Sequence, residues 1–219
     1  MQTKKVKKYT VLIVLFVLPL VTYLFFAKAV HSFANLPTVN KDALVLKELP
    51  SLNSEKPISL ENKISILTFL GDDVATQKAF AFNLKEKVYD KNKDFQDFQV
   101  ISIVDESQAE EVQKFIYEIN LTSDAKSWKF AKLPSDEAQM FLQNLTDNQV
   151  SFKNEYHSPM AFIVDKKGNL RGRNDDKDYG VMYGYNMKSI ADLNNKMVDD
   201  VKVILAEYRL ELKKYKADR

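Results

Sequence analysis

Short apolar runs and helically spaced apolar stripes alternate along most of this chain. Ile64–Leu70 (ISILTFL), Phe98–Val104 (FQVISIV) and Met160–Val164 (MAFIV) are brief and rich in β-branched residues. Such runs predict strands buried on both faces. Between them the spacing becomes helical. Val74–Tyr89 reads as one helix, which Asp72 or Asp73 can cap. Gln108–Ile119 places Val112, Phe115, Ile116 and Ile119 on one side. Pro134-Ser135-Asp136 starts a third helix, with Met140, Phe141 and Leu145 on its apolar side. Ile190, Leu193, Met197, Val201, Ile204, Leu205 and Tyr208 form the stripe of a last helix over about 188–216.

Shorter signals fill the gaps. Leu44–Leu49 and Ile58–Leu60 flank the turn-rich Pro50–Pro57 and predict a β-hairpin. Trp128–Leu133 alternates enough for a strand. Asp165-Lys166-Lys167-Gly168 is a turn that returns Leu170–Arg173 as a hairpin partner. Asn174–Tyr185 reads as a loop rich in acid, glycine and tyrosine. Strands alternating with helices predict an α/β domain whose mixed sheet is covered on both faces.

The N-terminus has a different pattern. Val11–Ala27 carries no charge, and Lys4, Lys5, Lys7 and Lys8 precede it with no acid among them. A membrane-spanning helix needs roughly 20 mainly apolar residues. Flanking lysines keep their end in the cytoplasm. The division expected is a basic cytoplasmic tip at 1–8, a single-pass anchor at 9–28, a linker at 29–42 and a folded domain at 43–217. That domain would face the periplasm or exterior of a bacterial inner membrane. The alternative is a signal peptide, cut at the small-x-small site Ala27-Lys28-Ala29.

Composition narrows the chemistry. The 219 residues contain no cysteine, two histidines (His31 and His157) and a net charge of +2. Disulfides, thiolate metal sites and cysteine nucleophiles are excluded. So is a zinc site built mainly from imidazole. The basic surplus sits in the tip, so nothing points to nucleic acid. There is no P-loop, GxGxxG or HExxH, and no nucleophile elbow accompanies His157. Asn174–Asp178 lacks the glycine and glutamate of a calcium loop and reads as solvated. Asn120-Leu121-Thr122 and Asn144-Leu145-Thr146 match the glycosylation pattern by chance.

Four local matches carry a resemblance. Pro57–Asp73 resembles the lead-in to the CxxxC motif of the Sco/SenC family. Ser102-Ile103-Val104-Asp105-Glu106 resembles that family's SVDPE strand end, and Trp128-Lys129-Phe130 its W-x-F strand. Tyr156-His157-Ser158, followed by Ala161–Asp165 and Gly168, resembles its DHS…YLIDPDG segment. The resemblance implies a thioredoxin-like fold preceded by one transmembrane helix. It also implies a membrane-anchored copper chaperone that serves cytochrome c oxidase assembly. The chain departs from the family where its cysteines would stand, at Asp72 and Thr76. Thiol–disulfide exchange is then impossible, and Cu(I) lacks the sulfur ligands it prefers. Pro159 occupies the place of the cis-proline of thioredoxins, and a cis bond is expected there.

The function expected is non-enzymatic: an assembly, scaffold or recognition factor beside a respiratory oxidase, with a protein partner and no cofactor. The candidate face comprises Asp72, Asp73, Thr76, His157, Pro159, Tyr179, Tyr183 and Tyr185. The tyrosines are interleaved with Gly180 and Gly184, which suits adaptable recognition. The alternative is weak copper binding or metal delivery through His157. Against both stand plainer roles: capping for the acids, a local carbonyl contact for His157, and packing on the last helix for the tyrosines.

Overall fold

The structure, a computed structural model, describes residues 12–24, 35–153 and 155–217. Residues 12–24 form helix α1, whose apolar side chains, among them Leu15, Phe16 and Tyr23, are exposed. Among the described residues no helix is long and apolar enough to cross a membrane. The rest of the expected anchor, the basic tip and the start of the linker lie outside the described residues.

Residues 36–217 form a separate compact unit. Its strands are β1 (Thr38–Asn40), β2 (Glu48–Leu49), β3 (Ile58–Ser59), β4 (Ile64–Gly71), β5 (Phe98–Val104), β6 (Trp128–Lys132), β7 (Ser158–Val164), β8 (Leu170–Arg171), β9 (Arg173–Asp176), β10 (Gly180–Met182) and β11 (Tyr185–Asn186). Helix α2 (Val74–Leu84) continues through a π-helical turn at Lys85–Tyr89 and an α-turn at Asp90–Asn92. Next come α3 (Ala109–Asn120) and α4 (Ser135–Leu145). Last is α5, made of Ile190–Asp192, a π-helical turn at Leu193–Met197, and Val198–Ala217.

The main sheet runs β1-β8-β7-β4-β5-β6, with β11 also pairing β7. β4 and β5 are parallel, Ile64 opposite Phe98, and so are β5 and β6, Val100 opposite Trp128. β7 runs antiparallel to β4. Because side chains alternate across a strand, β4 sends Ile64, Ile66 and Leu70 to one face and Leu67 and Phe69 to the other. The first face packs under α2, α3 and α5. The second lies under α4 and the β2–β3 hairpin, through Phe141, Leu142, Leu49 and Ile58. This is why β4 and β5 are buried throughout. Polar side chains in these strands find partners inside. The Ser102 hydroxyl lies 2.9 Å from that of Thr68 and accepts the Trp128 indole N–H at 2.9 Å.

The structure departs from the sequence reading in several places. Thr38–Asn40, in the segment read as linker, is an edge strand on β8. Leu36 before it is buried. Asn174–Tyr185 is not a loop but mainly the β9–β10 hairpin, with Asp176 opposite Gly180. Nor are its acids all solvated. Lys196 of α5 donates to Asp176 at 2.7 Å and to Asp178 at 2.8 Å, and Arg173 grips Asp200 through Nε and Nη2 at 2.7 and 3.1 Å. The Asp176 carboxyl is consequently held below the usual carboxylate range, chiefly by its bond from Lys196.

Pro159 is trans, contrary to expectation; no described peptide bond is cis. The pairing explains the conformation. Thr68 lies opposite Ala161 but Phe69 lies opposite Ser158, so Pro159 sits in an irregularity of β7. There its missing N–H leaves no gap in the ladder. Its carbonyl accepts the Met187 N–H at 2.8 Å. The chain therefore continues as strand, with no reversal for a cis bond to make.

Candidate functional site

β4, β5 and β6 point their carboxyl ends the same way, and antiparallel β7 begins at that end. Gly71, Asp105, Leu133 and Tyr156–Ser158 meet there. The Asp105 N–H bonds the Gly71 carbonyl at 2.9 Å, and the Leu133 N–H bonds the Val104 carbonyl at 3.1 Å. The Tyr156 hydroxyl donates to the Leu133 carbonyl at 2.6 Å. These bonds tie the three parallel strand ends to the segment that enters β7.

Gly71 is the tightest point. Its φ is +60°, and a Cβ there would lie 1.1 Å from the Tyr156 carbonyl oxygen and 3.2 Å from the His157 nitrogen. Only glycine combines that φ with that backbone approach. The turn after it, Asp72-Asp73, is thus set directly against Tyr156–His157. Asp73 caps α2: its carboxylate accepts the Thr76 N–H at 3.2 Å. Asp72 and Thr76 stay exposed. The sequence-derived candidates therefore divide. Asp73 is a cap, Asp72 and Thr76 offer free side chains, and His157 lies against the Gly71 turn through its backbone.

The surroundings are acidic. Burial pushes the Tyr156 phenol well above its usual range, and the negative charges of Asp105, Asp72 and Glu137 add to this. Its hydroxyl is consequently a fixed donor at any ordinary pH. His157 Nε2 lies 2.9 Å from a Glu155 carboxylate oxygen, and the side chain is only 15% exposed. Nδ1 is buried with no hydrogen-bond partner among the described residues.

These donors do not suit Cu(I). The positions of the family's cysteines hold a carboxylate and a hydroxyl, both hard oxygen donors, while Cu(I) takes soft sulfur. The outer nitrogen of His157 is engaged by Glu155. Among the described residues no group of three or more histidine, aspartate or glutamate side chains is placed to hold a metal.

The tyrosines are not one surface. Tyr185 is fully buried and donates to Asp200 at 2.7 Å, so it belongs to the core and not to a binding face. Its ring packs where β11 joins β7, which an aromatic residue favours over solvent. Tyr183 is half-buried against the α4 side of the sheet, and Tyr179 is exposed. Both line a cleft that includes neither Asp72, Thr76 nor His157. Sequence reasoning missed the part played by Tyr156, Gly71 and Asp105. In the sequence all three stand only within the matching segments Pro57–Asp73, Ser102–Glu106 and Tyr156–Ser158.

No family model matches the chain, and no curated protein does. Solved structures do. BsSco, a member of the Sco family of cytochrome c oxidase assembly proteins, is 16% identical, with a TM-score of 0.50 over 77% of this chain and 94% of that one. The soluble domain of Sco1 from Bacillus subtilis is 15% identical, with a TM-score of 0.48 over 78% and 97%. A thioredoxin-family thiol:disulfide interchange protein from Chlorobium tepidum is 15% identical, with a TM-score of 0.44 over 78% and 98%. The structural neighbours are thus Sco-family and thioredoxin-fold proteins, and the likeness to BsSco establishes a mixed α/β, thioredoxin-like fold. The chain has that fold without a single cysteine.

Proposed function

We propose that this chain recognises a protein partner with the carboxyl end of its sheet and carries out no thiol or other chemistry there. One observation carries the reading: the Gly71–Asp73 turn is fitted against Tyr156–His157, with Asp72 and Thr76 exposed beside it, in a chain that has no cysteine. A face kept in shape without its reactive sulfur suits docking. The partner proposed is a component of respiratory oxidase assembly, by analogy with the family of BsSco. Residues 9–28 would anchor the chain in the bacterial cytoplasmic membrane with the domain outside, on the strength of the uncharged Val11–Ala27 and the lysines before it. No cofactor and no nucleic acid enter the reading.

The test is cross-linking capture in membranes with the full chain, wild type against Asp72→Ala/Thr76→Ala/His157→Ala. Capture of an oxidase subunit is expected to fall at least about tenfold, as when interface hot spots are truncated. Asp72 and Thr76 are exposed. Their truncation should move stability by no more than about 0.5 kcal/mol each. A folded variant that still captures the subunit would overturn the proposal.

Copper supplies a second prediction. Titrated with Cu(I) against a competing chelator, and then with Cu(II), the full chain should show no binding that His157→Ala removes. Tight binding lost in that variant would replace recognition with metal delivery through His157.

A further inference from the structure

A cleft of about 290 Å³ opens at the β11 side of β7, away from the Gly71 turn. Val150, Met160, Val181, Met182 and Tyr183 give it an apolar wall. Val181 and Tyr179 at its mouth are exposed, on a hairpin whose outer strand is β10. Asp192 of α5 forms part of the lining, although the residue is only 8% exposed. Its side chain receives one hydrogen bond, from the Tyr179 hydroxyl to Oδ2 at 3.2 Å.

No lysine or arginine among the described residues pairs with Asp192. Lys196, one turn further along α5, is committed elsewhere. It is bonded to both Asp176 and Asp178 and lies over the Tyr179 ring at 4.4 Å. The carboxylate is removed from water with one neutral hydrogen-bond donor and the amino end of α5 to balance it, and no cation is bonded to it among the described residues. On the hairpin beside it Lys177 offsets Asp175, and Lys196 balances only one of Asp176, Asp178 and Asp192, so the local charge remains negative. An apolar cleft with an unmatched carboxylate in its wall complements a group that is apolar along its body and cationic at its end. The Tyr183 ring in the wall favours such a cation further.

We propose that this cleft binds an ammonium or guanidinium group carried on an apolar body, with Asp192 as the counter-charge and Val181, Met182 and Met160 as the apolar contact. A free alkyl or aryl amine and a lysine or arginine side chain of a protein share this chemistry. The site shares no residue with the face formed by Asp72, Thr76 and His157, and it can be tested without reference to that face.

The test is calorimetric titration of the full chain in nonionic detergent with phenethylamine, with its neutral isostere phenethyl alcohol, and with an acetylated and amidated Phe-Lys dipeptide. Phenethylamine should bind at least about tenfold more tightly than the alcohol, the margin of a charge-assisted bond over a neutral one. Asp192→Asn, which keeps the side chain's shape, should erase that preference while leaving weak binding of the alcohol. Val181→Asp should abolish binding of the alcohol by placing a charge on the apolar wall. A dipeptide that binds at least as well as phenethylamine assigns the site to a protein side chain, and a weaker one assigns it to a free amine. Equal binding of amine and alcohol, a preference that survives Asp192→Asn, or no binding of either at millimolar concentration would overturn the proposal.

Discussion

Replacing Gly71 by alanine is expected to destabilise the domain by more than about 3 kcal/mol, since overpacking and a left-handed backbone conformation act together. The added Cβ would stand 1.1 Å from the Tyr156 carbonyl oxygen, a backbone atom with no rotamer through which to withdraw. The chain must therefore either leave φ +60° at Gly71 or push the Tyr156–His157 segment off the end of β4. Gly180 provides the control. Its φ is +67°, but nothing lies within 4 Å of a Cβ built there. Gly180→Ala thus carries the conformational strain alone, about 1–2 kcal/mol. Urea unfolding of both variants separates the terms. Limited proteolysis should reveal new cleavage around Lys153 only in Gly71→Ala. Equal losses in the two variants would show that the contact with Tyr156 does not hold the site together.

The comparison of these two glycines also shows what a sequence can reveal. The strands Ile64–Gly71 and Phe98–Val104, and the Met160–Val164 part of β7, were legible because each is nearly continuous apolar residue, a consequence of burial on both faces. The helices were legible from their stripes. Gly71 was legible as the end of a strand, but not as the point where Tyr156 closes on it. That contact joins residues 85 positions apart and leaves no local pattern.

The β9–β10 hairpin was hidden for a related reason. Its register is fixed by ion pairs to α5, Lys196 with Asp176 and Arg173 with Asp200, rather than by alternating apolar residues. A run of acids reads as solvated until the helix that neutralises it is in place. The Asp-Tyr-Gly turn at Asp178–Gly180, with glycine at positive φ, was the available hint. Tyr185 was misjudged in the same way: its glycine neighbours suggested an adaptable loop, while its partner Asp200 lies one helix away.

The residue that most firmly fixes the start of the domain was also invisible in the sequence, and removing it gives the second large effect. Arg171→Met should cost about 3–5 kcal/mol, the range for losing one partner of a buried ion pair. Arg171 of β8 is buried. Its guanidinium bonds Asp165 at 3.1 Å, both Glu207 oxygens at 3.0 and 2.8 Å, and the Leu36 carbonyl through Nε at 2.9 Å as well as through Nη2. Glu207 in turn accepts the Leu36 N–H at 2.6 Å. Burial works against the guanidinium charge, but Glu207 and Asp165 outweigh it and hold the group above its usual range. Without the cation, Asp165 and Glu207 would face each other's charge in a space with little water. The Leu36 carbonyl would lose its bonds from the guanidinium, leaving its N–H bond to Glu207 as the remaining tie to α5, and β1 would fray from β8. The double variant Arg171→Met/Glu207→Gln should recover part of the loss, because it removes one of the two stranded charges. Hydrogen exchange should report the change at the Arg171 and Gly172 amides in addition to the global unfolding free energy. The Gly172 N–H bonds the Pro37 carbonyl at 3.0 Å, so its protection records whether the incoming chain is still docked. A single variant within about 1 kcal/mol of wild type, with that amide still protected, would mean that strand pairing and the burial of Leu36 suffice to hold this segment in place.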